Sequence, residues 1–401
     1  MWFFKTFLQR SGILSITGVV AEFNPLHKGH EYLLNTAGKD GAVVCAISGN
    51  FVQRGSVAVI EKRIRAKQAL LSGADLVVEI PVLWSMSTAQ NFALAGVTAL
   101  YSAGCDTLIF GSECGEIEPL LSAADILLSK EFSEKLAFWL KKGITFAAAR
   151  EKAAAECGLK AGILSKPNNN LAVEYIVAAK QNGYDFKFKT IKRKGADHDS
   201  KNIGEFVSAS LLREKLEAGD IEFCREYMSE TALSCFSAED IADIKRLERA
   251  VLATLRTKRA EEFKTLPDLS EGVENKLFSA IKTASSLSGL YQKIKVKRYT
   301  LARIRRLVLS AFIGEDNEFF MKKQPYVRVL GFSPKGKEIL RKATAKSDLP
   351  LVTKVSQIKE LGAAAEKVFE NECRATDLFS LALEKPMDAG LEYTAKIIKT
   401  E

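Results

Sequence analysis

Short apolar segments alternate with amphipathic ones through the first half of the chain, and this alternation restricts the fold more than any other feature of the sequence. The segments SGADLVVEI and AGCDTLIFG share one order: the end of a helix, a glycine, an aspartate and an apolar strand. Strands that are apolar at successive positions are typical of parallel sheets covered by helices on both faces. The pattern predicts strands at 16–23, 42–49, 75–81 and 106–113, and helices at 29–38, 61–74 and 88–104.

We therefore predict an α/β fold, in which a Rossmann-like parallel-sheet domain (16–219) is followed by a mostly α-helical C-terminal domain (220–401). Few strand signals occur after residue 220, whereas apolar positions there recur with a helical period. The remaining predicted parts are an N-terminal extension at 1–15, a helical insert at about 117–165, a turn and helix at 165–183, a short strand at 186–195, a loop and helix at 206–219, and a late strand pair at 326–332 and 349–355.

The cysteine and hydropathy patterns exclude several classes of protein. Seven cysteines are spread along the chain without a C-x-x-C pair, which argues against a disulfide framework and against a zinc site. This usage favours a reducing compartment, so we predict a cytoplasmic protein. No run approaches the roughly 20 apolar residues that cross a bilayer, so we expect no membrane partner.

Positive charge is concentrated in one part of the chain. The formal net charge is +9, but residues 281–346 contain 16 Lys and Arg against 4 Asp and Glu, an excess of +12 that leaves the rest of the chain negative. Within this segment Tyr299 is interleaved with basic residues, and Arg303 and Arg306 lie on one predicted helix face with Arg305 beside them. A solvated charged face is the ordinary interpretation of such a run. The size of the local excess favours a polyanionic partner instead.

Two of the chain's three histidines lie three residues apart, in the segment AEFNPLHKGH. His27 and His30 follow a predicted strand and open a helix, where backbone N–H groups and the helix dipole attract anions. The segment is not a P-loop, a G-x-G-x-x-G turn or an H-E-x-x-H zinc motif. Two fixed donors at this place suit attack on the α-phosphate of a nucleotide, because they stabilise the charge that builds on the phosphoryl oxygens.

Other unusual loops fall where further predicted strands end or helices begin. SGNFVQRG (48–55) and FGSE (110–113) follow strands, and ligands of parallel sheets lie at the carboxyl ends of the strands. In SKPNNN an asparagine is predicted to cap the following helix. In SASLLR, Ser208 could cap a helix while Arg213 is solvated, or the segment could grip phosphates. The segment KRK around Arg193 is either a solvated basic edge or places an arginine against a phosphate.

These motifs together resemble the bacterial tRNA(Met) cytidine acetate ligase family, which belongs to the HxGH nucleotidyltransferase superfamily. The matching segments are GVVAEFNPLHKGH, ISGNFVQRG, GADLVVEIP, IFGSE, SKPNNNLAVEY and PYVRVLGFSPKGKEIL, between residue 18 and about 340. The chain departs from the family's usual pattern at Leu26, often aromatic, and in ADHD around His198, where an aromatic usually precedes the His-Asp pair.

The resemblance implies a function and a set of site residues. The family activates acetate with ATP to acetyl-adenylate and transfers the acetyl group to N4 of the wobble cytidine of elongator tRNA(Met). His27 and His30 would be catalytic, and ATP would carry its own Mg²⁺, with no metal site built from protein ligands. The implied ATP contacts are Val20, Ala21, Glu22, Phe23, Asn24, Pro25, Leu26, His27, Lys28, Gly29, His30, Glu31, Tyr32, Leu33, Gly111, Asn168 and Arg193.

The basic segment would then bind tRNA phosphates through Lys293, Lys295, Arg303, Arg305 and Arg306. Two other functions stay open at this point. One is a small-molecule adenylyltransferase, which the basic segment disfavours. The other is a non-catalytic RNA-binding protein with a degenerate nucleotide pocket, which the intact HxGH motif disfavours.

Overall fold

The computed structural model describes residues 15–193, 207–269, 272–296, 299–343 and 347–401. The predicted extension, apart from Ser15, and the ADHD segment around His198 lie outside these residues. The strands are β1 Ile16–Ala21, β2 Ala42–Ser48, β3 Phe51–Val52, β4 Ser56–Val57, β5 Leu76–Ile80, β6 Thr107–Ser112, β7 Lys187–Lys192, β8 Val327–Phe332, β9 Leu351–Val352 and β10 Ile398–Lys399.

The helices between these strands follow the predicted order. They are α1 Lys28–Ala37, α2 Lys62–Leu71, α3 Val82–Ser85, α4 Ala89–Ser102, α5 Ile117–Leu128, α6 Lys130–Lys141, α7 Phe146–Glu156, α8 Pro167–Gln181, α9 Ala209–Glu217, α10 Ile221–Tyr227, α11 Glu230–Leu233, α12 Glu248–Thr257, α13 Val273–Thr283, α14 Leu287–Ile294, α15 Leu301–Ile313, α16 Pro334–Ala343, α17 Ser356–Glu360, α18 Ala363–Ser380 and α19 Leu391–Thr394. Helices α5 to α7 fill the predicted insert.

One large sheet organises the molecule, with strand order β10-β8-β5-β2-β1-β6-β7 and β9 beside β8. All neighbouring strands are parallel except β5 and β8, which are antiparallel. The predicted α/β parallel-sheet class is confirmed. From β1 the chain first extends the sheet towards β2 and β5 and then returns to add β6 and β7 on the other side. The carboxyl ends of β1 and β6 therefore flank the topological switch point, where ligands of such sheets bind.

Both faces of the sheet are buried, as successive apolar residues require. In β2, Val44 and Ala46 face a core shared with α4 and α8, while Val43 and Cys45 face a second core shared with α1, α2 and α9. Each strand residue thus packs against one of the two layers of helices, which follows from the two-residue period of a strand. All seven cysteines are free thiols.

The two aspartates of the Gly-x-Asp repeat have a common role in the sheet. Asp106 accepts hydrogen bonds from the Ser15 hydroxyl (2.6 Å) and from the Ile16 backbone N–H (3.2 Å), where β1 begins. Asp75 accepts a hydrogen bond from the Val43 N–H (3.0 Å) at the start of β2. Each aspartate therefore satisfies backbone donors at the entry of a neighbouring strand, which keeps the register of adjacent strands fixed.

The second half of the chain contributes to both the sheet and a separate helical core. Helices α12 to α15 pack around a core that contains Leu255, Leu277 and Leu307. The predicted strand pair forms as β8 and β9, which are parallel, and β8 joins the large sheet beside β5. The large sheet therefore contains strands from both sides of the boundary predicted at residue 219. None of the described helices is both long and apolar enough to cross a membrane.

Candidate active site

A cleft of about 620 Å³ opens at the switch point between β1 and β6. That size suits a nucleotide. The cleft is lined by residues from the β1–α1 loop, the β3–β4 hairpin, the end of β6, the start of α8, the start of α9 and one residue of α15. The lining side chains used below are Val20, Ala21, Glu22, Phe23, Asn24, His27, His30, Leu33, Gln53, Arg54, Gly111, Asn168, Arg193, Ser208, Ser210, Arg213 and Arg305.

The two predicted catalytic histidines lie together in this cleft. Their rings are stacked, with centroids 3.9 Å apart and planes inclined by 24°. His27 is the N-cap residue of α1, and its Nδ1 accepts a hydrogen bond from the Gly29 N–H (3.1 Å). Because Nδ1 is an acceptor, the proton of the neutral ring is carried by Nε2, which is the donor left for a ligand.

Both histidines are held in the neutral form. Burial, followed by the positive charge of Arg193, lowers the pKa of His27 to about 3. Burial also lowers the pKa of His30, with further contributions from His27 and Arg193. The cleft therefore presents neutral imidazole donors at physiological pH, and the positive charge of the site comes from arginine.

The loop before the histidines is held by contacts on both sides. Asn24 accepts a hydrogen bond from the Val59 N–H at its side chain (2.8 Å) and one from Arg213 at its carbonyl oxygen (2.7 Å). Phe23 has a φ of +46°, which bulky residues rarely adopt, and its buried ring contacts His30 edge-on at 5.1 Å. The strained backbone thus places a rigid ring against one of the two predicted catalytic histidines.

Eight of the fourteen residues predicted at 20–33 line the cleft, and six do not. A helix presents one face to a ligand, so His30 and Leu33 face the cleft while Tyr32 is exposed on the other side. Lys28 donates to the Glu226 carbonyl oxygen (2.7 Å), and Glu31 accepts hydrogen bonds from Ser72 and Ser229. The six residues outside the lining are Pro25, Leu26, Lys28, Gly29, Glu31 and Tyr32.

Gly111, Asn168 and Arg193, which the resemblance implies as ATP contacts, meet on the opposite side of the cleft. A Cβ on Gly111 would lie 3.1 Å from the Arg193 Cγ, so a larger residue would displace the arginine. Arg193 donates to the Asn168 Oδ1 (3.2 Å), and the Asn168 amide donates to Glu113 (2.6 Å). The guanidinium is therefore oriented by an amide that is itself oriented by a carboxylate.

The predicted asparagine cap of α8 is wrong. Lys166 is the N-cap residue and its side chain makes no capping bond. Instead, Glu113 from the β6–α5 loop accepts hydrogen bonds from the backbone N–H groups of Asn168 (3.0 Å) and Asn169 (2.7 Å). Burial raises the pKa of Glu113, but the hydrogen bonds from Asn168 and Asn169 outweigh it and lower the pKa overall. A carboxylate from another loop replaces the local cap, which leaves Asn168 available to Arg193.

In the SASLLR segment the predicted serine cap forms, and the phosphate-binding alternative stays a prediction. Ser208 caps α9 by accepting a hydrogen bond from the Leu211 N–H (3.3 Å). Ser208, Ser210 and Arg213 also line the cleft. Arg213 donates to Ser210 (3.3 Å) as well as to the Asn24 carbonyl, so it connects this segment to the histidine loop.

The SGNFVQRG loop splits between the cleft and a buried ionic cluster. Gln53 and Arg54 line the cleft, and the Gln53 N–H donates to Glu22 (2.9 Å). Asn50 faces away from it and accepts a hydrogen bond from the Lys62 N–H (2.8 Å). Lys62 is fully buried and pairs with Glu79, Glu372 (2.7 Å) and Glu392 (2.7 Å). We call these four residues, with Arg63 and Arg328, the ionic cluster.

Sequence reasoning missed Arg65, which organises the same strand ends. This fully buried residue donates to the carbonyl oxygens of Ile60 (2.8 Å), Glu22 (2.5 Å) and Gly49 (2.5 Å). It therefore joins the loops that follow β1 and β2. The charged residues of α2 are typical of a solvated helix face. Only the tertiary structure shows that Arg65 points inward.

The five predicted RNA-binding residues occupy three different environments. Lys293 and Lys295 are exposed. Arg303 (3.0 Å) and Arg306 (3.1 Å) both pair with Asp268, and Arg306 is only 8% exposed. Arg306 therefore does not present a solvent-facing cation, contrary to the prediction. Arg305 is half-buried and lines the cleft. Among the described residues no group of three or more His, Cys, Asp or Glu side chains is arranged to hold a metal ion.

Comparison with known proteins agrees with this geometry. Residues 14–392 match the HIGH Nucleotidyl Transferase family. The tRNA(Met) cytidine acetate ligase of Thermoanaerobacter sp. (strain X514) is 37% identical over 403 residues, covering 96% of this chain and 100% of that protein. The protein of the same name from Caldanaerobacter subterraneus subsp. tengcongensis is 37% identical over 95% of this chain and 99% of its own.

Two crystal structures of Thermotoga maritima TmcAL have the same fold. The apo form has a TM-score of 0.90 at 30% identity, covering 96% of this chain and 99% of that chain. The form bound with alpha-thio ATP has a TM-score of 0.89 at 30% identity, with the same coverage. The chain therefore belongs to the HIGH nucleotidyl transferase family and, within it, to the tRNA(Met) cytidine acetate ligases.

Proposed function

We propose that this protein activates acetate with ATP and transfers the acetyl group to N4 of the wobble cytidine of elongator tRNA(Met). The observation that carries the proposal is the pair of stacked, neutral histidines in a nucleotide-sized cleft. The ligase names of the relatives and the alpha-thio ATP bound to TmcAL support it.

In the first step an acetate oxygen attacks the α-phosphorus of ATP. A P–O bond to acetate forms as the bond to the β-phosphate oxygen breaks, giving acetyl-adenylate and pyrophosphate. Negative charge grows on the non-bridging oxygens of the α-phosphate, and the Nε2–H of His27 is the donor that would meet it. Arg193 and Arg213 supply positive charge to the phosphates from the two sides of the cleft.

In the second step the exocyclic N4 amine of the cytidine attacks the acetyl carbonyl carbon. The amide bond forms as the mixed anhydride breaks, so AMP leaves and the amine loses a proton. The basic segment, through Lys293, Lys295 and Arg303, would hold the tRNA by its phosphates. Mg²⁺ would accompany ATP, bound mostly by phosphate oxygens and water. Because tRNA and ATP are cytoplasmic, we place the protein in the cytoplasm.

One assay separates this proposal from its alternatives. The protein should exchange labelled pyrophosphate into ATP only when acetate is present, and it should then label tRNA(Met) from labelled acetate. A small-molecule adenylyltransferase would show exchange with a different acceptor and no transfer to tRNA. A non-catalytic RNA-binding protein would bind tRNA with no exchange under any condition.

A further inference from the structure

The three arginines of α15 have different surroundings although they lie within four positions. Arg303 and Arg306 share Asp268, and Arg306 also donates to the Gln53 carbonyl oxygen (3.1 Å). Arg305 instead lines the same cleft as His27 and Asn168. One side chain of the basic segment therefore reaches the wall of the cleft in which activation is proposed.

The position of Arg305 is fixed by the β3–β4 hairpin, which lies directly against α15. At the tip of the hairpin, Gly55 has a φ of +72°, and a Cβ there would come within 2.6 Å of both the Arg305 Cβ and the Arg306 backbone nitrogen. Only glycine allows this approach. On its other side the hairpin is held to Glu22 through the Gln53 N–H. The hairpin thus joins the basic helix to the nucleotide loop.

The cleft carries more positive charge than the nucleotide elements alone provide. Among the described residues, four arginines and one glutamate line it. Arg193 and Arg213 contact nucleotide elements, through Asn168 and the Asn24 carbonyl oxygen. Arg305 comes instead from α15, a helix of the basic segment. Its charge at the cleft suits a second anionic group besides the nucleotide.

We propose that Arg305 binds a phosphate of the RNA strand next to the acceptor cytidine and so directs its N4 amine into the cleft. This inference rests on the proposed function. A guanidinium fork binds phosphate oxygens in a defined geometry, so it orients the strand as well as attracting it. Remote lysines of the basic segment contribute affinity without this orientation.

The test compares Arg305→Gln with Arg305→Lys and with a matched control, Lys141→Gln, which removes an exposed charge outside both the cleft and the basic segment. For Arg305→Gln we expect the KM for tRNA to rise about tenfold and transfer from preformed acetyl-adenylate to slow by a similar factor, since one charge-assisted contact is lost. Arg305→Lys should recover part of the loss. Lys141→Gln should leave both tRNA binding and the rate of transfer unaltered.

A phosphate substitution identifies the anion that Arg305 binds. A methylphosphonate beside the wobble cytidine should slow transfer by the wild-type protein, and it should have little further effect on Arg305→Gln. Equal slowing in both proteins would overturn the assignment. A parallel fall in acetate-dependent pyrophosphate exchange, measured without RNA, would mean that Arg305 binds ATP and would also overturn it. Failure of the proposed function looks different, because the wild-type protein itself would then show no exchange.

Discussion

The histidine cleft and the ionic cluster lie on the two sides of the 48–55 loop, and both bury polar side chains. They differ in whether the buried side chains keep their charge. In the cleft His27 loses its charge, because burial lowers its pKa to about 3. In the cluster Lys62 keeps its charge: burial lowers its pKa, but Glu372, Glu392 and Glu79 more than compensate and raise it overall. Neutral donors are left available for a ligand, whereas paired charges are fully occupied and serve structure.

The largest effect is expected from breaking the cluster. Lys62→Met would leave Glu79, Glu372 and Glu392 buried without their shared ammonium group. We expect the free energy of unfolding to fall by about 3–5 kcal/mol, the usual cost of removing one partner from a buried ion pair. Urea denaturation measures it, with Lys293→Met as the exposed control. A loss below about 1 kcal/mol would show that the cluster is not a structural centre.

Changing the cleft histidines should affect activity and spare the fold. We expect His27→Ala and His30→Ala each to slow acetate-dependent pyrophosphate exchange about a hundredfold, the typical cost of one lost donor to a developing oxyanion. Asn35→Ala, at an exposed position of the same helix, is the control. Near-normal exchange in both histidine variants, with intact thermal unfolding, would remove them from catalysis.

Because His27 is neutral in the folded protein, the free energy of unfolding should depend on pH in the acidic range. Its folded pKa of about 3 is below the unfolded value of 6.5, so the unfolded chain binds the extra proton between these values. The free energy of unfolding should therefore fall as the pH is lowered from about 6.5, by about 1 kcal/mol per pH unit from this residue. Urea titrations across pH 4–7 should show a shallower fall in His27→Gln. An unchanged slope would mean that the histidine is already protonated in the folded protein.

The cluster predicts a smaller effect of opposite sign. Burial, followed by Glu372, raises the pKa of Glu79 to about 8, above its ordinary value of 4.5. The folded state then binds the extra proton, so stability is lost as the pH rises through 8. Because Glu79 shares this proton with its neighbours, we expect a slope on the order of 0.5 kcal/mol per pH unit, which Glu79→Gln should flatten. If the free energy of unfolding fell more steeply with rising pH in Glu79→Gln, the raised pKa of Glu79 would be contradicted.

Local patterns predicted most of the sheet and the histidine pair. The apolar runs at 42–49 and 75–81 became β2 and β5 with ends shifted by one residue. His27 and His30 could be found because a strand, a turn and a helix start are all readable locally. Gly111 and Arg193 meet because β6 and β7, which lead to them, are neighbours in the sheet; only the resemblance had assigned both residues to ATP.

Partners far apart in the chain could not be predicted. Lys62 and Glu372 are separated by 310 positions, and nothing near either residue indicates that they meet. Asp268 pairs with Arg303 and Arg306 in the same way, so a run of basic residues contained a buried structural cation, Arg306. Glu113 takes the place of the predicted asparagine cap because the fold brings the β6–α5 loop against the start of α8. In each case the deciding group lies on an element that only the fold brings close.

The antiparallel strand β8 has a consequence for how the protein is made. Residues 16–80 supply three adjacent strands of the sheet early in synthesis, but the outer edge of β5 is covered only when residues 327–332 arrive. Lys62 and Glu79, which pair with each other, likewise wait for Glu372 and Glu392 before the ionic cluster is complete. Until then the nascent chain carries an open strand edge and an incomplete ionic cluster beside its cleft. The sheet is thus completed late in synthesis, so we expect a stalled or cleaved chain to yield an aggregation-prone fragment.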